Sequence, residues 1–286
     1  MDRPLVVRLV GDWFRQHRRD LPWRRSTPWG VMVSEFMLQQ TPVSRVLGPW
    51  QEWLERWPEP DDLAAEQPGA AVAAWGRLGY PRRAQRLHRA ATVISEQHGG
   101  RVPESLADLQ ALPGVGRYTA AAIHSFAFGG RAVVLDTNIR RLLCRVEQGR
   151  EFPPDQATAA EWRQAELWLP DEPAEAAQWA AASMELGALV CTARSPRCDE
   201  CPVRELCAWR AAGYPRHDGP PRRAQAWHGT DRQCRGVLLD LVRHQPDGVR
   251  VEVALEAWAD REQAERSLAG LLSDDLLRTA DGLLRL

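Results

Sequence analysis

The sequence predicts an all-α protein: two helical domains followed by a small winged-helix-like C-terminal module. Three observations carry that prediction. Apolar residues recur at helical spacing along most of residues 4–190, and no convincing period-2 strand appears before residue 225. Short Pro- and Gly-marked turns break the helical runs. A Pro-, Gly- and Arg-rich stretch, residues 211–229, reads as a linker, and three further helical patterns and a terminal hairpin follow it.

The elements fall in order. Residues 4–18 place Leu5, Val6, Leu9, Val10, Trp13 and Phe14 on one helical face. Residues 20–30, with Pro22 and Pro28, read as a loop. Helices are expected at about 30–40, 43–57, 69–77 and 82–98, separated by turns at 41–42, 57–60, 79–81 and 98–100. Further helices are expected at 117–128, 136–146, 157–168 and 173–190. In the tail, 231–245, 252–258 and 262–278 read as helices, and "TADGLLRL" as the closing hairpin.

The 286 residues, 44% hydrophobic, suffice for one large or two modest cores. No apolar run of about 18 residues occurs, so no spanning helix is expected. The N-terminal stretch carries Asp2 and is interrupted by Arg8, Asp12 and Arg15, unlike a signal peptide; a cytoplasmic protein is expected. The net charge of -1 is unevenly spread. Residues 1–140 hold 18 Arg against 14 acids, residues 151–190 one Arg against eight, and residues 191–225 seven Arg against four. A local basic face is compatible with that distribution. All 37 basic residues are Arg, so no side-chain amine is available for a Schiff base.

Cys191, Cys198, Cys201 and Cys207 form C-x6-C-x2-C-x5-C. Four thiolates this close can reach one metal centre, and disulfides do not suit a cytoplasmic chain. A [4Fe–4S] cluster is the sharper reading; a zinc site and no metal at all are the other two. Arg194 and Arg197, between the first two cysteines, either face phosphates or decorate a solvated loop. "LPGVG" places Gly114, Val115 and Gly116 between two helices, where the glycines permit positive φ and leave amides open to a phosphate. Asp136, after an apolar run, reads as an N-cap with Asn138 helping the turn, or as a functional acid. Glu35 sits among Val31, Met32, Val33, Phe36, Met37 and Leu38, next to Gln39 and Gln40. A half-buried acid there asks for a chemical role.

Together these strings resemble the helix-hairpin-helix DNA glycosylase superfamily. "LPW" (21–23), "SEFMLQQT" (34–41), "GRLGY" (76–80), "LDTN" (135–138) and "ELGALVC" (185–191) look like its adenine-specific, MutY-type branch, over about residues 10–210. The resemblance implies a six-helix barrel over 22–130, a cluster domain from 1–21 and 131–225, and a separate module at 226–286. That tail does not match the β-rich Nudix-like domain with which the family usually reads 8-oxoguanine.

The resemblance also implies roles. Glu35 would protonate adenine at N7, its apolar neighbours raising its pKa. Asp136 would stay ionised and stabilise the sugar cation, the division of labour that two carboxylates achieve in glycosidases. Tyr118 stands where bifunctional relatives carry a lyase lysine, which implies a monofunctional enzyme; Tyr118 and Asn138 would help position the acids and water. Gln40 and Tyr80 would fill and wedge the stack after base flipping. Trp23, Arg24 and Leu38 would line the adenine pocket, with Arg19 and Gln39 nearby. Two positions depart from the family pattern: Ala181 stands where Glu or Gln is usual, and Pro81 where a second Tyr is common. The implied partner is double-stranded DNA with an A·8-oxoG or A·G mismatch, bound by a monomer with no membrane contact. The rival readings are a thymine glycosylase acting on T·G and a non-catalytic DNA-binding iron–sulfur protein.

Overall fold

The computed structural model describes residues 1–219 and 227–286. The helices are α1 (Arg3–His17), α2 (Pro28–Leu38), α3 (Val43–Arg56), α4 (Pro60–Ala64), α5 (Pro68–Ala74), α6 (Arg82–His98), α7 (Leu106–Ala111) and α8 (Arg117–Phe128). They continue with α9 (Thr137–Gln148), α10 (Ala159–Glu166), α11 (Pro173–Leu189) and α12 (Ala208–Ala211). The C-terminal module runs α13 (Asp231–Arg243), β1 (Val249–Arg250), α14 (Val251–Glu256), α15 (Arg261–Ser273), β2 (Arg278–Ala280) and β3 (Leu283–Arg285). The all-α expectation holds. None of the described helices is long and apolar enough to cross a membrane.

The chain divides into two compact units. The first is Met1–Val31, Glu104–Ala111 and Val115–Pro221; the second is Met32–Pro103, Leu112–Gly114 and Arg222–Leu286. The helix α8 lies in the first unit, where Ala121 and Ala122 join the apolar core built by α1, α9 and α11. That core includes Val6, Val10, Ile139, Leu142, Trp168, Trp179 and Leu186. Asp2 caps α1 through the Leu5 N–H, and Thr158 with Glu161 forms a reciprocal capping box on α10.

In the second unit Trp53 meets Trp57 and Trp75 edge-on, at ring centroid distances of 4.7 and 5.6 Å. The C-terminal module has the helix–strand–helix–helix–hairpin order of a winged helix. Its three strands pair antiparallel in the order β1-β3-β2, with Leu284 opposite both Val249 and Thr279. The two-residue β1 has too few residues to show a period in the sequence. Within the second unit the module is joined to residues 32–103 by ion pairs: Arg77 to Asp240 at 2.8 Å, and Arg82 to Asp274 at 2.8 Å. Gln85 donates to the carbonyls of Asp274 and Asp275. A Cβ on Gly69 would lie 2.7 Å from the Leu286 backbone.

Candidate functional site

In the second unit, Glu35 is 6% exposed near the end of α2, with Met32, Ser34, Phe36 and Met37 buried alongside it in the chain. The helix ends at Leu38, and Gln39 and Gln40 make the turn that follows; Leu38 and Gln39 are half-buried and Gln40 is exposed. Gln40 has φ 55° and Tyr80 φ 49°, a left-handed backbone that side chains rarely adopt and that surroundings must hold.

Arg83 holds both turns. Its guanidinium donates to the carbonyls of Phe36 (2.8 Å), Met37 (3.1 Å) and Gln39 (2.6 Å), to the Thr41 hydroxyl (3.1 Å), and to the Gly79 carbonyl (3.0 Å). Burial pulls the Arg83 pKa down to about 10, with Tyr80 opposing, so the group is still charged at neutral pH. Sequence reasoning missed this residue. The available signal is an arginine on the apolar face of 82–98, in step with Ala84, Leu87 and Ala91. In the same unit Gly114 has φ 81°, and a Cβ there would lie 2.7 Å from the Arg86 Cβ, so only glycine fits the hairpin turn.

Gly116 departs from the expectation of positive φ. It has φ -92° and ψ 179° as the N-cap of α8, where extended backbone is the requirement. Its contribution is an open approach to the helix's first amides: a Cβ there would meet nothing within 4 Å. Val115 is buried, and Tyr118 is half-buried against the first unit's core.

Asp136 caps α9. Its carboxylate accepts from the Ile139 N–H at 2.7 Å and from the Asn138 amide at 2.8 Å. Burial pushes the Asp136 carboxyl up from its ordinary value, while those donors and Arg141 pull the other way. The Asn138 side-chain carbonyl accepts from Arg141 at 2.9 Å, and Arg141 also donates to the carbonyls of Gly187 and Cys191, both at 2.7 Å. A Cβ on Gly187 would lie 2.7 Å from the Asn138 Cβ, so α9 and α11 approach closely there.

Arg19 and Arg24 both engage Glu185, at 2.6 and 3.1 Å. Burial pushes the Glu185 carboxyl up, but the Arg19 donors and Arg24 outweigh it and hold it below the usual carboxylate range. Trp23 is buried, and Arg24 lies over the Phe14 ring at 5.1 Å. Ala181 packs at the margin of the core.

Cys191, Cys198, Cys201 and Cys207 line one small cavity with Leu142, Val190 and Trp209. Burial pushes the Cys198 and Cys207 thiols up, and Cys201 to about 12. Burial thus favours the protonated thiols, and a metal that binds them must displace those protons. Arg145, which also lines the cavity, is 1% exposed, donating to the Thr192 carbonyl at 2.7 Å and to the Cys191 sulfur at 3.4 Å. Four thiols on one cavity, with a guanidinium donor to the sulfur, fit a multi-iron cluster of net negative charge. Arg197 donates to the Leu189 carbonyl at 2.6 Å and pairs with Glu200, whereas Arg194 is exposed on the intervening loop.

Comparison with known proteins places this geometry. Residues 33–166 match the profile of the HhH-GPD superfamily base excision DNA repair proteins, and residues 191–207 match the iron-sulfur binding domain of endonuclease III. An adenine DNA glycosylase of Mycobacterium tuberculosis is 48% identical over 274 residues, covering 94% of this chain and 90% of the relative. One from Homo sapiens is 41% identical over 209 residues, covering 69% of this chain and 38% of the relative. A solved thermostable thymine-DNA glycosylase aligns with TM-score 0.65 and 26% identity, covering 73% of this chain and 97% of that one. The chain belongs to the HhH-GPD superfamily of base excision DNA repair proteins, within its adenine DNA glycosylase family, and its cofactor is a [4Fe–4S] cluster.

Proposed function

We infer that this protein is a monofunctional adenine DNA glycosylase that excises adenine mispaired with 8-oxoguanine or guanine. It acts as a cytoplasmic monomer on double-stranded DNA and leaves an abasic site. The observation that carries the reading is the buried Glu35, held at the end of α2 immediately before the turn that Arg83 pins.

In the reaction the C1′–N9 bond breaks. Glu35 delivers a proton to adenine N7, so the base departs neutral. Positive charge develops on the sugar, and the Asp136 carboxylate stabilises it electrostatically. Water then adds at C1′ and gives its proton to the Glu35 carboxylate left by the first step, with Tyr118 and Asn138 helping to orient the water. The absence of lysine, and Tyr118 in the hairpin helix, support hydrolysis without strand cleavage. Gln40 and Tyr80 fill the gap left by the extruded base. Trp23, Leu38 and Gln39 are assigned to recognition of the base, with Arg19 and Arg24, which both pair with Glu185. The hairpin at Gly114, Val115 and Gly116, with Arg194 and Arg197, meets backbone phosphates. Cys191, Cys198, Cys201 and Cys207 would hold the cluster, which supplies a rigid, metal-linked loop.

The test is base release from A·8-oxoG, A·G and T·G duplexes, read with and without alkali. Adenine release with strand scission only after alkali is expected. Thymine release from T·G, or scission without alkali, overturns the reading. If both carboxylates serve one step, Glu35→Gln combined with Asp136→Asn costs little more than the worse single change.

A further inference from the structure

The tail of this chain has no part in the chemistry above, yet one face of it is unlike the rest. Residues 226–286 carry 8 Arg against 11 acids. Within the second unit, however, α13 lines a groove of about 1050 Å³ together with the turns that carry Gln40 and Tyr80. Eight arginines border it against two aspartates, Asp240 and Asp274. Each aspartate already pairs with two of the arginines, one from the module and one from residues 32–103. The groove therefore has a large surplus of positive charge, which suits a phosphodiester chain.

Its floor is also built for flat groups. The Arg232 guanidinium lies over the Tyr80 ring at 4.5 Å and over the Trp227 ring at 5.4 Å, with Tyr80 and Trp227 40% and 47% exposed. The groove is also lined by Arg86, the residue packed against the Gly114 turn. Alternating aromatic and guanidinium planes in a basic channel is the arrangement that holds single nucleic-acid strands.

We propose that the C-terminal module is a second DNA-binding element, whose Arg232 and Trp227 extend the Tyr80 wedge into a stacking and phosphate-binding groove for the strand opposite the extruded adenine. The proposal rests on the glycosylase reading, because it is extrusion that leaves a purine unpaired beside Tyr80. It assigns to the module, by different chemistry, contact with the strand whose base has lost its partner.

The test is equilibrium binding of the full-length protein to an A·8-oxoG duplex and to an undamaged duplex over a salt series. Arg232→Ala is expected to raise Kd roughly tenfold and to lower the salt slope by about 1. Arg232→Lys is expected to restore the slope but only part of the affinity, since it keeps the charge and loses the plane. In parallel, wild-type protein is photocrosslinked to duplexes with 5-iododeoxyuridine beside the mismatch on one strand or the other. Crosslinks from the opposite strand to residues 227–243 support the proposal. Unchanged Kd and slope in Arg232→Ala, or crosslinks from the adenine strand alone, overturn it. Adenine release by the wild type is scored separately: its failure sinks the glycosylase reading, whereas its success with a silent Arg232→Ala sinks only the groove.

Discussion

The two carboxylates occupy helices of opposite character. In α2 every residue from Trp29 to Met37 is buried, and Glu35 is the helix's only charged side chain. In α9 the residues from Ile139 to Val146 are also buried, but three of them are arginines. Asp136 stands at that helix's N-terminal mouth, where a backbone N–H, an amide and a guanidinium all favour its anion. At Asp136 burial still raises the carboxyl on balance, and these donors limit the rise. An acid whose helix carries no other charge suits a proton donor, and one ringed by donors suits a standing negative charge.

The first way to break that comparison is at Glu35. Replacement by Gln keeps shape and hydrogen bonding but carries no transferable proton. Single-turnover adenine release is expected to fall by ~10²–10⁴-fold while DNA binding persists. Asp136→Asn comes next. Asparagine caps a helix as well as aspartate does, so α9 stays formed and only the charge is lost. Excision is expected to fall by about 10²–10³-fold, with the melting temperature little changed. A melting loss as large as that of a cap deletion would mean that Asp136 is merely structural.

Two further changes sharpen the comparison by removing supports instead of acids. Cys201→Ser, or stripping the iron, is expected to abolish the broad absorbance near 400 nm and to destabilise the first unit, since metal binding and folding are coupled. Arg83→Met leaves at least five acceptors without their donor, four of them backbone carbonyls. A stability loss of about 3 kcal/mol in denaturant unfolding is expected, with weaker DNA binding as the Gln40 and Tyr80 turns loosen.

These supports also show what the sequence could and could not reveal. The helices α6 and α8 have the bounds their apolar spacing predicts, because turn residues punctuate both ends: Pro81 and Gly99, Gly116 and Gly129. The five-residue α4 and the 3-10 turn at Pro22–Arg25 are too short to show any period: the sequence reads the second as loop and assigns no element to most of the first. Likewise, the cysteines are legible because ligand spacing is local in the chain. The work of Arg83, Arg141 and Arg145 is illegible, because their partners are mostly backbone carbonyls, which every residue has. Gly116 shows the same limit: its residue type permits a left-handed backbone, but the helix start that follows it calls for an extended one.

The smallest expected effect is the most discriminating. Burial pushes the Asp136 carboxyl up, and the Asn138 amide is one of the donors that restrain it. As pH falls through that raised value the carboxylate gains a proton, and excision that needs the anion declines. Asn138→Ala removes a donor to the charged form, so the pKa rises further and the acid limb of the pH–rate profile moves to higher pH. Asn138→Asp instead adds a negative neighbour and moves the limb the same way. Measured under single-turnover conditions, either variant should lose activity at mildly acid pH and recover most of it at alkaline pH. An acid limb that stays put in both would show that Asp136 is not the group titrating there, and that the difference between the two helices has no bearing on rate.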